Sequence, residues 1–189
     1  YFWLKDNHPS LLDSKEFIQF YDLRVNSNEP ENHFNELVSW LKDLNILKKD
    51  MNFGLASYKD KSLFNEIKNY SLHHSSMWLE NDLLEICNTF NANKLEKNKE
   101  ISNNKFDFII ARHILEHFFN PRSLMDFIDS ILSDKGTIYF EVPSPIHMMR
   151  EGLSYFLWEE HNSYFTINAL RKLFNSYGFK SCFRSFENG

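Results

Sequence analysis

Cysteine is scarce in this chain of 189 residues, which has only Cys87 and Cys182. Two cysteines are too few for a disulfide framework, so we expect a reducing, cytoplasmic location. An excess of basic residues is also lacking, since the net charge is -5. A nucleic-acid-binding surface needs clustered positive charge, and we therefore expect no nucleic acid partner. No apolar run is long enough to cross a bilayer and no leader pattern precedes the fold, so we expect no membrane partner.

Glycine is also scarce, with 5 residues against 19 phenylalanines. Most cofactor-binding loops rely on glycine, because only glycine lets the backbone approach a ligand closely without strain. The rest of the composition, 42% hydrophobic and 25% charged, is typical of a globular protein. The length suits one domain with a sizeable core, with or without a small appendage.

Apolar spacing predicts alternating strands and helices. Residues 1–30 have no clean apolar period beyond a short predicted helix at 14–23, and a second helix is predicted at 31–45. We therefore divide the chain into a lead-in segment and helix (1–45) and a domain (46–189). Within the domain we predict strands at 51–57, 75–80, 106–112, 137–143 and 179–186, and helices at 61–70, 81–90, 122–132 and 166–178. The stretch between 91 and 105 is ambiguous, with a weak strand near Leu95–Ile101. This alternation predicts an α/β fold with a mostly parallel sheet.

The segment H-I-L-E-H, from His113 to His117, has two interpretations. As a string it matches the H-x-x-E-H signature of an inverted zinc peptidase, which needs both histidines on one α-helix. The unbroken apolar run 106–112 just before it predicts a buried strand, and Asn120-Pro121 disfavours a helix after it. We therefore favour a strand end and predict no metal at this segment. His117 then packs the loop through a backbone hydrogen bond.

Ligands of open α/β sheets bind outside the carboxyl ends of the strands. Arg112 and His113 follow the third predicted strand, and Glu80 ends the second. These three residues are therefore candidates for ligand binding. The alternative for Glu80 is a solvated carboxylate that interacts favourably with the start of a helix.

Two stretches resemble a known family. FDFIIARHILEHFFNPRSLMDFIDSILSDKGTIYFEVPSP, from Phe106 onward, resembles the second half of class I S-adenosylmethionine-dependent methyltransferases. WEEHNSYFTINALRKLFNSYGF, at 158–179, resembles the sugar C-methyltransferase group, which carries E-H-x-x-Y-F before its last crossover helix. The resemblance implies a Rossmann-like sheet with helices on both faces. Its usual last strand is either missing or lies beyond this sequence.

The resemblance also implies roles for individual residues. S-adenosyl-L-methionine is the implied cofactor, bound by Gly54 just before the first loop, by Ser57 in that loop, by Glu80 at the ribose, and by Arg112 and His113. A histidine suits proton abstraction because its pKa lies near neutrality.

The implied catalytic residues are His161 and Glu160 as bases, with His113 and Tyr164 in the same pocket. The alternative for Glu160, His161 and Tyr164 is a surface loop whose aromatic side chains pack on the sheet.

The implied function is methyl transfer to a small molecule, with a nucleotide sugar as one candidate. The loop after Gly54 lacks the usual G-x-G. This departure motivates an alternative, a catalytically degenerate methyltransferase-like domain that serves as a scaffold or interaction module in polysaccharide biosynthesis. The sequence does not fix the methylated atom or the oligomeric state.

Overall fold

A computed structural model describes most of the predicted domain and the helix before it. The described residues are 31–57, 60–70, 73–79, 105–150, 152 and 161–185. The predicted helices at 14–23 and 81–90 and the weak strand near Leu95–Ile101 lie outside these residues.

The described elements alternate as expected. In chain order they are α1 (Glu31–Asp43), β1 (Asp50–Leu55), α2 (Lys61–Lys68), β2 (His73–Trp78), β3 (Phe106–Arg112), a single 3-10 turn (Leu115–His117), α3 (Pro121–Ile131), β4 (Leu132–Glu141), α4 (Pro145–Arg150) and α5 (Ile167–Asn175). No described helix combines the length and the apolar character that crossing a bilayer requires.

The four described strands form one parallel sheet in the order β2-β1-β3-β4. Chain order therefore reverses direction at β1, which pairs with β2 on one side and with β3 on the other. Parallel neighbours need crossover connections, and α2 lies in the one between β1 and β2 and α3 in the one between β3 and β4. The predicted α/β class with a mostly parallel sheet is confirmed.

Helices cover both faces of the sheet. Successive side chains of a strand point to opposite faces, and β3 follows this rule because Phe108 and Ile110 join one buried cluster while Ile109 and Ala111 join the other. The first cluster packs against α1 and α2, and the second packs against α3 and α5. Burial on both faces explains why β3 is an unbroken apolar run.

The helix α1 belongs to this core. Its apolar residues Leu37, Val38 and Leu41 are buried together with side chains of β1 and β3. The predicted division at residues 45 and 46 stays a prediction, but α1 packs on the sheet rather than apart from it.

Local signals set the helix ends. The Asn120 side chain accepts a hydrogen bond from the Arg122 backbone N–H at 3.1 Å, and Pro121 begins α3. Thr166 is the N-cap of α5, because its Oγ1 accepts a hydrogen bond from the Ala169 N–H at 3.2 Å. Gly178 follows α5 with a positive φ of 79°, which favours glycine.

Two predictions near the carboxyl end are wrong. A connection was expected between the helix predicted at 122–132 and the strand predicted at 137–143, but β4 already begins at Leu132 and contains Asp134, Lys135 and Gly136 at a register shift. A strand was predicted at 179–186, but residues 179–185, the part of it that the structure describes, form no strand. Phe183 instead stacks near Phe174 of α5, with ring centroids 6.5 Å apart. The aromatic pattern therefore reflects packing on a helix rather than pairing with the sheet.

Candidate functional site

The candidate site lies at the carboxyl ends of β1, β3 and β4. A parallel sheet whose strand order reverses leaves a crevice at this edge, where ligands bind in open α/β folds. Backbone hydrogen bonds continue the sheet here, from Ala56 N–H to Ile110 O at 2.9 Å and from His113 N–H to Glu141 O at 2.8 Å. Charged side chains lie at this end of the strands.

Arg112, the last residue of β3, is only 1% exposed. Its Nε lies 2.7 Å from Glu141 Oε2 and its Nη2 lies 3.4 Å from Glu141 Oε1. On another side, Nη1 lies 3.7 Å from Asp60 Oδ1. The Phe34 ring covers the guanidinium, with Cζ 5.2 Å from its centroid. The buried charge is therefore compensated by two carboxylates and one aromatic face.

Glu141, the last residue of β4, connects several of these side chains. Besides Arg112, its carboxylate contacts His33 Nε2 at 3.1 Å and His113 Nε2 at 3.3 Å, and it accepts a hydrogen bond from the Tyr139 hydroxyl at 2.7 Å. Burial alone would raise the pKa of Glu141. The contacts with His113 and His33 and the charge of Arg112 outweigh burial and hold this pKa well below its usual range.

Tyr139 stays a hydrogen-bond donor at neutral pH. Burial and then the charge of Glu141 both raise the pKa of its hydroxyl above the usual value. The phenol therefore remains protonated and helps to fix the orientation of the Glu141 carboxylate.

His113 lies between two carboxylates. Its φ of 49° is unusual for a residue other than glycine and turns the chain from β3 into the 3-10 turn. Its Nε2 lies 3.3 Å from Glu141 Oε1, and its Nδ1 lies 3.6 Å from Glu116 Oε1. The side chain is 28% exposed, whereas that of Glu116 is 1% exposed. His113 therefore connects solvent to a buried acid.

Besides His113, Glu116 faces two further histidines, His117 and His161. The donor atoms of Glu116, His117 and His161 all lie within 4.8 Å of one another, and all three residues are buried. The His117 and His161 rings meet edge to face with centroids 4.8 Å apart. Burial raises the pKa of Glu116, but the contact with His113 and the charges of the surrounding histidines lower it to about 2.

Two hydrogen bonds hold these segments together. The Ser163 N–H donates to Glu116 O at 3.0 Å, and the Asn162 Nδ2 donates to His117 O at 2.7 Å. Tyr164 then packs against His161, with ring centroids 5.6 Å apart. The segment before α5 is therefore fixed against the turn that follows β3.

The zinc-peptidase interpretation is wrong, because Leu115–His117 is one 3-10 turn and His113 lies outside it. His113 and His117 do not share the face of an α-helix. His117 instead groups with His161, which lies far along the chain. The interpretation as a strand end followed by a loop is confirmed.

The structure brings the predicted residues into two groups. Arg112 and His113 meet at Glu141, whereas Tyr164 packs on His161, whose ring in turn meets that of His117. Glu116 lies between the groups, because it contacts His113 and adjoins His161.

The remaining predicted residues are placed as follows. Ser57 is buried just after β1. Gly54 lies inside β1, where an added Cβ would lie 3.0 Å from Leu79 Cδ1 and 3.2 Å from Ile109 Cγ1, so its lack of a side chain serves core packing. Glu80 and Glu160 lie outside the described residues, and their roles stay predictions.

Sequence reasoning missed several residues of this site. Asp60 lies in the loop after β1, where the carboxyl-end rule would have found it, whereas Glu141 fell inside the strand predicted at 137–143 and is a strand end only because β4 stops there. Glu116 was set aside together with the zinc-peptidase interpretation. His33 gave no signal, because its partner Glu141 lies 108 residues away.

Comparisons with known proteins agree with this architecture. A family model described as a methyltransferase domain matches residues 20–181. No curated protein sequence matches the chain. The structure of an O-methyltransferase family protein from Burkholderia thailandensis is similar, with a TM-score of 0.60 and 10% identity over 93% of this chain. This chain spans 58% of the length of that protein.

A second solved structure is magnesium protoporphyrin IX methyltransferase (ChlM) from Synechocystis PCC 6803 with bound SAH. It has a TM-score of 0.47 and 10% identity, over 90% of this chain and 87% of that one. The family model covers most of the sequence, including every described strand. The chain therefore belongs to the methyltransferase-domain family.

Proposed function

We propose that this chain is an S-adenosylmethionine-dependent methyltransferase that acts on a small molecule at the carboxyl ends of β1, β3 and β4. The observation that carries the proposal is the cluster of charged side chains at the point where the strand order reverses. Membership of the methyltransferase-domain family supports the reaction class.

The charge of the site suits S-adenosylmethionine as a cofactor. Two carboxylates, Asp60 and Glu141, contact the permanent cation of the site, Arg112, and a third carboxylate, Glu116, lies 3.6 Å from His113. When bound, S-adenosylmethionine supplies a methyl group on a positively charged sulfur. An excess of carboxylates suits a cationic ligand. Ser57 and Asp60 after β1, together with Glu80, are the residues proposed to hold it.

We assign proton abstraction from the acceptor to His113. Of the predicted catalytic side chains that the structure describes, His113 is 28% exposed, whereas His161 and Tyr164 are buried. If Nε2–H donates to Glu141, Nδ1 is the nitrogen that accepts the proton. The imidazolium that forms then lies beside two carboxylates, which stabilise its charge.

Glu141 and Arg112 act as positioning residues. Arg112 holds the Glu141 carboxylate by two contacts, and Tyr139 holds it by a third. This rigid carboxylate fixes the tautomer and the ring orientation of His113. His161 and Tyr164 form the buried wall behind the site, and Glu160 stays a predicted base.

We propose a nucleotide sugar as the first acceptor class to test. The resemblance of Glu160, His161 and Tyr164 to the E-H-x-x-Y-F segment of sugar C-methyltransferases supports this choice. For a carbon beside a ketone, His113 would remove an α-proton, and S-adenosylmethionine would supply the methyl group to the resulting enolate, with its sulfur as the leaving group. The same site chemistry serves a hydroxyl acceptor, and the assay decides between these two.

The experiment is calorimetric titration with S-adenosylmethionine, followed by transfer of a labelled methyl group to a panel of nucleotide sugars. We expect binding, and we expect His113→Asn to keep binding while it loses about 10²–10⁴-fold in transfer rate. Lys172→Ala, an exposed change on α5, is the control and should match the wild type.

A second candidate function is a catalytically inactive scaffold. The full burial of Asp60 and Arg112 and their contact at 3.7 Å favour it, because side chains paired with each other are less able to bind a ligand. Absence of heat at millimolar S-adenosylmethionine supports the scaffold and contradicts the enzyme.

A further inference from the structure

We propose that Glu116, His117 and His161 form a binding site for one divalent transition-metal ion, with Zn²⁺ as the best match. Nothing in the family assignment or in the proposed methyl transfer requires this site. The inference starts from the geometry of the three side chains.

The donor set matches a known metal chemistry. Two imidazoles and one carboxylate are the protein ligands of many zinc sites, which leave a further position for water or another ligand. The donor atoms here lie within 4.8 Å of one another. Donors around a tetrahedral Zn²⁺ lie about 3.4 Å apart, so movements of about 1 Å close the site.

The buried carboxylate supports a cation at this position. The side chain of Glu116 is 1% exposed, and neither of its oxygens has a hydrogen-bond partner within the described part of the chain. Its contact with His113 at 3.6 Å is longer than a hydrogen bond. A buried carboxylate of this kind requires positive charge nearby.

The rings of His117 and His161 lie beside this carboxylate and meet edge to face, with their centroids 4.8 Å apart. One divalent ion among the three donor atoms would take both imidazoles as neutral ligands and would supply two positive charges to the carboxylate.

The backbone around the three ligands is held in place before any ion arrives. Hydrogen bonds from Ser163 N–H to Glu116 O and from Asn162 Nδ2 to His117 O fix the two ligand-bearing segments against each other. Support of this kind reduces the cost of organising a metal site. Bound Zn²⁺ would tie the turn after β3 to the segment before α5, and it would leave His113 as the available base.

The test uses the full chain, free of any polyhistidine tag and treated with a chelator. Titration with Zn²⁺ alone, followed by calorimetry, should show one equivalent bound, and the Tm should rise, because a ligand that binds only the folded state stabilises it. Co²⁺ in its place should give visible d–d absorption that added Zn²⁺ removes.

Three variants locate the site. Glu116→Gln and His161→Gln should each weaken Zn²⁺ binding by at least about 100-fold, more than changes of outer-shell partners usually do. His33→Gln is the matched control, because it removes another buried histidine that contacts Glu141 instead. It should bind Zn²⁺ like the wild type.

Failure to bind stoichiometric Zn²⁺ overturns the proposal. The proposal is also overturned if Glu116→Gln and His161→Gln bind Zn²⁺ as tightly as the wild type does, because the ion would then lie elsewhere. Circular dichroism reports whether each variant folds, and where Glu116→Gln does not fold, His161→Gln and His117→Gln decide the matter. Binding of S-adenosylmethionine is measured separately, so the failure of either proposal leaves the other standing.

Discussion

At the scale of single residues, Arg112 matters most for stability because it carries a permanent charge in the protein interior. Guanidinium groups remain protonated, so burial must be compensated by partners rather than by loss of the charge. Glu141, Asp60 and the Phe34 ring supply that compensation on separate sides. Removing one member of a buried ion pair costs more stability than replacing the whole pair with apolar residues, because the remaining charges stay buried without a partner.

Arg112→Met is therefore expected to destabilise the fold by about 3–5 kcal/mol, because it leaves two buried carboxylates without their cation. Urea denaturation measures the free energy of unfolding. The control is Arg184→Met, which removes an arginine that is 38% exposed and 3.9 Å from Glu36, and should change stability by no more than about 0.5 kcal/mol. A loss under about 1 kcal/mol for Arg112→Met would contradict the assigned role.

Residue-level reasoning recovered part of this cluster. Arg112 and His113 were predictable because a long apolar strand places the residues that follow it at the binding edge of the sheet. His33 was not predictable, because α1 brings it to Glu141 only through tertiary packing. Glu116 was hidden by a short motif whose meaning depends on helical geometry that the chain does not adopt.

At the scale of elements, β4 shows how a local signal can mislead. Asp134, Lys135 and Gly136 have a composition typical of turns, and they lie between the helix predicted at 122–132 and the strand predicted at 137–143. In the structure, Phe106 pairs with Leu132 and Phe108 pairs with Thr137, so β4 inserts extra residues opposite β3. The turn-like residues form an irregularity within the strand, which a one-dimensional pattern does not reveal.

Gly136 is a test of that irregularity. A Cβ at this position would lie 2.6 Å from Leu132 Cγ and 2.9 Å from the backbone oxygen of Phe106, and backbone does not yield easily. Gly136→Ala should therefore lower the free energy of unfolding by about 1–3 kcal/mol in urea denaturation. Lys135→Ala, on the exposed neighbour, should stay within about 0.5 kcal/mol. Equal stability of the two variants would contradict the close packing.

At the scale of the whole molecule, the buried carboxylates make stability depend on pH. The pKa of Glu141 is lowered from its ordinary value of 4.5 in the folded state. Between these two pKa values the unfolded chain binds a proton that the folded chain does not. The stabilisation from Glu141 is therefore present above about pH 4.5 and is lost as the pH falls toward the folded pKa.

The expected result is a free energy of unfolding that decreases from pH 5 to pH 3 in urea titrations at fixed ionic strength. Glu141→Gln should be less stable at neutral pH and should show a shallower decrease, by up to about 1.4 kcal/mol per pH unit for one proton. A variant whose slope equals that of the wild type would show that Glu141 is not the group responsible.

The order of the strands also has a consequence for synthesis. Phe53 of β1 pairs with Phe108 of β3, 55 positions later, and each described strand pairing requires such a crossover. A nascent chain therefore releases β1 from the ribosome well before its second neighbour exists. During that interval one edge of the central strand stays open to wrong partners, and rapid folding is delayed until β3 has emerged.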